Sequence, residues 1–144
     1  MMYIRNPNED RTWEAYMENC LSDESIKDIE NYVKEKGLEE AGTVGHGDEQ
    51  SIRKTNIRFI EINESTQPFY NEMNNLVNHV NVGKYNWQIS SIEPIQYSEY
   101  EQGGHYTWHS DCILKGANNN TRKISFSILL NDPSEFEGGD LQLY

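Results

Sequence analysis

The stretch Tyr100-Glu-Gln-Gly-Gly-His-Tyr-Thr-Trp-His-Ser-Asp111 decides how the rest of the chain is read. Gly103 and Gly104 predict a turn or bulge, and 105–111 after them predicts a strand. On an extended strand, side chains two apart share one side, with about 6.6 Å between their positions. His109 and Asp111 therefore form a His-x-Asp pair able to close on one ion. An imidazole nitrogen beside a carboxylate oxygen suits Fe(II), Mn(II) or Zn(II). His105 is rejected as a further ligand, because along the strand it lies about 13 Å from His109. A plain hydrogen-bonded His–Asp pair is the structural alternative. Tyr100 and Tyr106 are read either as packing residues, since Tyr favours pleated surfaces, or as residues that touch a ligand.

Working outward, helices precede the strands. Glu9–Leu21 predicts a short helix or an extended lead-in, with Trp13, Met17 and Cys20 on one face. Ser22-Asp23-Glu24 is a capped helix start, Ile26, Ile29 and Val33 are its apolar stripe, and Gly37 ends it. Leu38–Gln50 has no apolar period and reads as a mobile loop, with His46 exposed on it. Ser51–Ile62 alternates as a strand. Ser65-Thr66-Gln67-Pro68 opens a second helix, with Phe69, Met73, Leu76 and Val80 as its stripe, widened by Tyr70 and Val77, and Gly83 as its stop. His79 lies beside that stripe and reads as a surface or packing residue. Trp87–Tyr100 predicts a long β region broken at Pro94, 112–121 a loop, and Arg122–Leu130 a strand. On that strand Ile124, Phe126, Ile128 and Leu130 face one way. Asp132–Gly139 turns the chain, and Asp140–Tyr144 begins another strand. Helices followed by strands predict an α+β fold.

The ordered pattern Tyr100, Gly103, Tyr106, His109, Asp111, followed by Arg122-Lys-Ile-Ser-Phe-Ser-Ile-Leu-Leu-Asn131 and Glu137-Gly-Gly-Asp-Leu141, resembles the prolyl 4-hydroxylase-like Fe(II)/2-oxoglutarate oxygenases. The resemblance covers roughly residues 51–144. It implies a double-stranded β-helix, or jelly roll, buttressed by N-terminal helices. It implies Fe(II), 2-oxoglutarate and O2 as cofactors, which ascorbate can accompany. His109 and Asp111 are then metal ligands, Tyr100 lies near the iron and the 2-oxoglutarate, and Tyr106 and Trp108 are candidate pocket walls for substrate. The implied reaction hydroxylates an unactivated C–H bond, by default in a prolyl residue of a protein or peptide, with succinate and CO2 as co-products. The loop at 38–50 would fold over bound substrate, with a plain connector as the alternative. Leu129 departs from the tyrosine that some relatives use on the far carboxylate of 2-oxoglutarate. The pattern also needs a second histidine well beyond the aspartate and then a Lys or Arg, yet no histidine follows Asp111. Residues 1–144 are therefore expected to be one domain, incomplete at its C-terminus. Its unpaired sheet surface is expected to pack on a second copy of the chain or at a crystal contact. The alternative function is a catalytically inactive jelly-roll module that binds a metal or ligand, and a zinc-dependent site is a further rival.

Composition narrows the partners. A net charge of -12 argues against nucleic acid and against an anionic membrane surface. No apolar run is long enough to span a bilayer. Cys20 and Cys112 stand far apart with no Cys-x-x-Cys, which suits free thiols in a reducing cytoplasm. Cys112, next to Asp111, is expected to face the other way and be buried and inert.

Overall fold

The computed structural model describes residues 14–41, 50–111 and 122–143. The readings of His46 and Cys112 lie outside them. Helix α1 runs over Asp23–Lys36, where the sequence places it. The Ser22 side chain accepts a hydrogen bond from the Ser25 N–H, and Asp23 and Glu24 meet the positive end of the helix dipole. Gly37 ends α1 at φ 74°, a conformation a side chain would strain. Ile29 and Val33 are buried on its inner face. No helix forms over the described part of the lead-in, 14–21.

Helix α2 runs over Gln67–Val80, with Pro68 in its first turn. It does not stop at Gly83. The chain continues as one π-turn, Asn81–Tyr85, and is ended by Asn86 at φ 53°, whose N–H reaches Asn81 O. Asn tolerates the left-handed region because its short polar side chain can bond locally. Asn81 then fixes the exit, since its amide donates to Trp87 O and accepts from Trp87 N–H.

Strands β1 (Glu39–Glu40), β3 (Asn56–Phe59) and β4 (Gln96–Glu99) form an antiparallel sheet in the order β1-β3-β4. Strands β2 (Arg53–Lys54) and β5 (His105–Tyr106) form a second antiparallel pair. The expected strand over 51–62 is thus split at Thr55. Thr55 is buried, donates its hydroxyl to Glu99 O, and accepts Ala41 N–H at its carbonyl. In register, Asn56 pairs with Glu99 and Lys54 pairs with His105. Thr55 alone therefore faces the whole of 100–104, which leaves the ladder as an excursion. That excursion is the Gly-Gly turn read from the sequence.

One cluster joins the layers: Ile29 and Val33 of α1, Ile60 just after β3, and Tyr70 of α2. Tyr70 is 1% exposed. Beyond the Phe59–Gln96 pair, Ile60 N–H still donates to Ile95 O at 2.9 Å. The return bond passes through a side chain: Tyr70 Oη donates to Ile60 O at 2.6 Å and accepts Ile95 N–H at 2.9 Å. The tyrosine thus replaces one rung where the two strands part.

Further strand expectations need correction. The long β region at 87–100 shrinks to β4, because Pro94 and the Tyr70 insertion end the ladder on its N-terminal side. The segment Arg122–Leu130 is not a strand; it finds no ladder partner among the described residues. Its alternation survives in part, with Ile124, Ile128 and Leu130 half-buried while Phe126 and Leu129 are exposed. No strand forms over 140–143. Among the described residues the sheets are small and antiparallel, a mixed helix-and-sheet arrangement compatible with an oxygenase fold. Among the described residues no helix is long and apolar enough to cross a membrane.

Candidate metal centre

Backbone pairing carries the chain from the Gly-Gly excursion to the candidate ligands. Gly103 has φ 77°, and Gly104 N–H donates to Glu101 O at 2.7 Å. A Cβ on Gly104 would meet Glu101 O at 2.8 Å and Lys54 O at 3.2 Å, both backbone atoms that cannot swing aside. Gly104→Ala is therefore expected to push β5 off β2 and cost about 1–3 kcal/mol, measured by urea denaturation. A variant as stable as the parent would show that this turn does not set the register.

The ladder continues to Thr107, whose N–H donates to Ile52 O at 2.9 Å. After that the chain bends, so the strand expected over 105–111 is β5 and little more. His109 folds back onto Tyr106, their rings stacked with centroids 3.7 Å apart. The Arg53 guanidinium lies over the same tyrosine ring at 4.6 Å. His109 Nδ1 lies 2.8 Å from Thr107 O. A carbonyl only accepts, so Nδ1 carries a proton, and in the neutral ring Nε2 presents its lone pair. That Nε2 faces Asp111 Oδ1 at 3.3 Å. Two lone-pair donors pointing at each other repel unless a proton or a metal ion lies between them. Two such ligands at right angles on one ion, each about 2.1 Å from it, would stand about 3 Å apart. The pair fits a divalent metal in both donor type and spacing.

The ring nitrogens of His105 face Gly103 O and Ser51 O. His79 is exposed on α2, at a shallow groove shared with Cys20 and Glu72. Tyr106 is half-buried and joined to the site through His109. Tyr100 is 48% exposed in the excursion, and Trp108 is 66% exposed where a pocket wall would be covered. No third His, Cys, Asp or Glu joins His109 and Asp111 in a metal-holding group among the described residues.

A contact that sequence reasoning missed ties the site to the core. Arg122 grips Glu93 through Nε, 2.9 Å from Oε1, and through Nη2, 2.6 Å from Oε2, while Nη1 donates to the backbone O of Asp111 at 3.4 Å. No local period links positions 93 and 122, so no pattern could reveal it. The hydrogen bond from Arg122 holds the Glu93 carboxyl below its ordinary value of 4.5. A lowered folded-state pKa means that the pair stabilises the fold above the ordinary carboxylate range and is lost as pH falls through the lowered value. Both side chains are more than a third exposed, so solvent and salt screen the gain. The melting-temperature gap between parent and Glu93→Gln is expected to be small, largest near neutral pH, and closed by acidification. A gap that widened in acid would contradict this.

Residues 95–144 match the 2OG-Fe(II) oxygenase superfamily. That segment is similar to the 2OG-Fe(II) oxygenases. A PKHD-type hydroxylase of Thermosynechococcus vestitus is 41% identical over 58 residues, which are 39% of this chain and 26% of that protein. The chain thus aligns with about a quarter of the curated relative's length. No solved structure matches. The matched segment contains His109, Asp111, Tyr106 and Arg122, so the donor pair and its supports fall within it.

Proposed function

We propose that the protein is an Fe(II)/2-oxoglutarate-dependent hydroxylase acting on a prolyl residue of a protein or peptide, releasing succinate and CO2. The observation that carries the reading is the His109 Nε2–Asp111 Oδ1 pair, 3.3 Å apart inside the matched segment. His109 and Asp111 would hold the iron. Bound there, Fe(II) with 2-oxoglutarate supplies the oxidising power to hydroxylate a C–H bond, which no side chain supplies alone. The chain's own residues do the positioning. Thr107 O fixes the imidazole tautomer, and the Tyr106 ring limits its rotation. Tyr100, in the excursion beside the metal strand, is the proposed contact to 2-oxoglutarate.

The test incubates the native protein with Fe(II), 2-oxoglutarate, O2 and prolyl peptides, and follows succinate together with substrate mass. Succinate and a mass gain of one oxygen atom on proline are expected. Succinate with the oxygen on another residue type would keep the oxygenase and remove the prolyl assignment. Metal binding with no succinate would favour the inactive binding module. Zinc at unit stoichiometry after purification without added metal would favour the zinc site.

A further inference from the structure

We infer that Arg122 is a positioning residue for Asp111, itself held in place by Glu93. The inference rests on the reading of Asp111 as a metal ligand. Beyond Thr107 the backbone is no longer held by β2, yet Asp111 must present its carboxylate to His109 within a few tenths of an ångström to share an ion. Something outside the ladder has to fix it. Arg122 contacts Asp111 at the backbone carbonyl, which sets where the Cα and hence the carboxylate lie. A guanidinium is planar, so gripping Glu93 with Nε and Nη2 fixes the plane and directs Nη1. Glu93 in turn is anchored, because Ile95, two residues on, is bound by Ile60 N–H and by the Tyr70 hydroxyl in the core. The path therefore runs from the buried Tyr70 to the Ile95 backbone, along the chain to Glu93, and through Arg122 to the backbone of Asp111. A lysine at 122 would keep the charge and lose the fork.

The experiment titrates the chain with Mn(II), following free Mn(II) by electron paramagnetic resonance, and with Co(II), following its visible absorption. Parent, Asp111→Ala, Arg122→Met, Arg122→Lys and Glu93→Gln are compared well below their melting temperatures. Arg122→Met is expected to weaken Mn(II) binding about tenfold or more and to alter the Co(II) band shape. Glu93→Gln should shift affinity in the same direction, and Arg122→Lys should fail to restore it fully. Unchanged affinity and spectra in Arg122→Met and Glu93→Gln, with binding lost in Asp111→Ala, would overturn the inference and leave the metal site standing. Retained binding in Asp111→Ala, or none in the parent, would remove the metal site and the inference with it. If Arg122→Met does not fold, the near-isosteric Glu93→Gln decides by the same two readouts.

Discussion

Asp111→Ala removes divalent-metal binding by more than about 100-fold, beyond what losing a supporting contact costs, and leaves the fold nearly as stable as before. The side chain is 49% exposed, takes no part in the core cluster, and has His109 as its partner. Deleting it leaves one imidazole, which cannot hold the ion alone. Truncating an exposed carboxylate opens no cavity, so the stability change should stay within about 0.5 kcal/mol. Asp111→Glu moves the oxygen by about one methylene and should also weaken binding, since a site about 1 Å too loose fails. Isothermal titration with Mn(II), paired with thermal melts, separates the two quantities. A variant that binds metal like the parent would end the site assignment.

Tyr70→Phe is expected to destabilise the protein by about 1–3 kcal/mol, from one buried and one part-buried backbone group left without this partner. The ring stays and packs as before, so the loss isolates the hydroxyl. That hydroxyl joins Ile60 O to Ile95 N–H, and burial pushes its pKa above the ordinary tyrosine value, so it acts as a neutral bridge. Tyr70→Ala would add a cavity between α2, α1 and the sheet, for about 3–5 kcal/mol in all. Urea denaturation with matched slopes provides the comparison. If Tyr70→Phe were as stable as the parent, the bridging hydroxyl would carry no net weight and the corner at Ile60 would have to be held by packing alone.

The helices were legible because their signals are local. Ser22, the Ile29–Val33 stripe and Gly37 mark α1, and Pro68 marks the start of α2. The Gly103-Gly104 turn was legible for the same reason. What failed was non-local. Whether Arg122–Leu130 joins a ladder depends on a partner strand, and alternation reports a face without reporting a neighbour. The split at Thr55 was hidden because one buried threonine opposes a five-residue excursion whose length no period records. At the site, the His109–Asp111 pair was legible as a spacing, although the geometry that joins them is a bend beyond β5 and not the straight strand assumed. The stack on Tyr106 and the Arg122–Glu93 grip join residues that only the fold brings together.

The central claim is that His109 and Asp111 hold an iron that engages 2-oxoglutarate. Its most direct measurement is the visible absorption of the native protein titrated anaerobically with Fe(II) and 2-oxoglutarate, beside Asp111→Ala. A metal-to-ligand charge-transfer band that needs both additions and is absent from Asp111→Ala is the expected result; no band in the parent, or the same band in the variant, would contradict it.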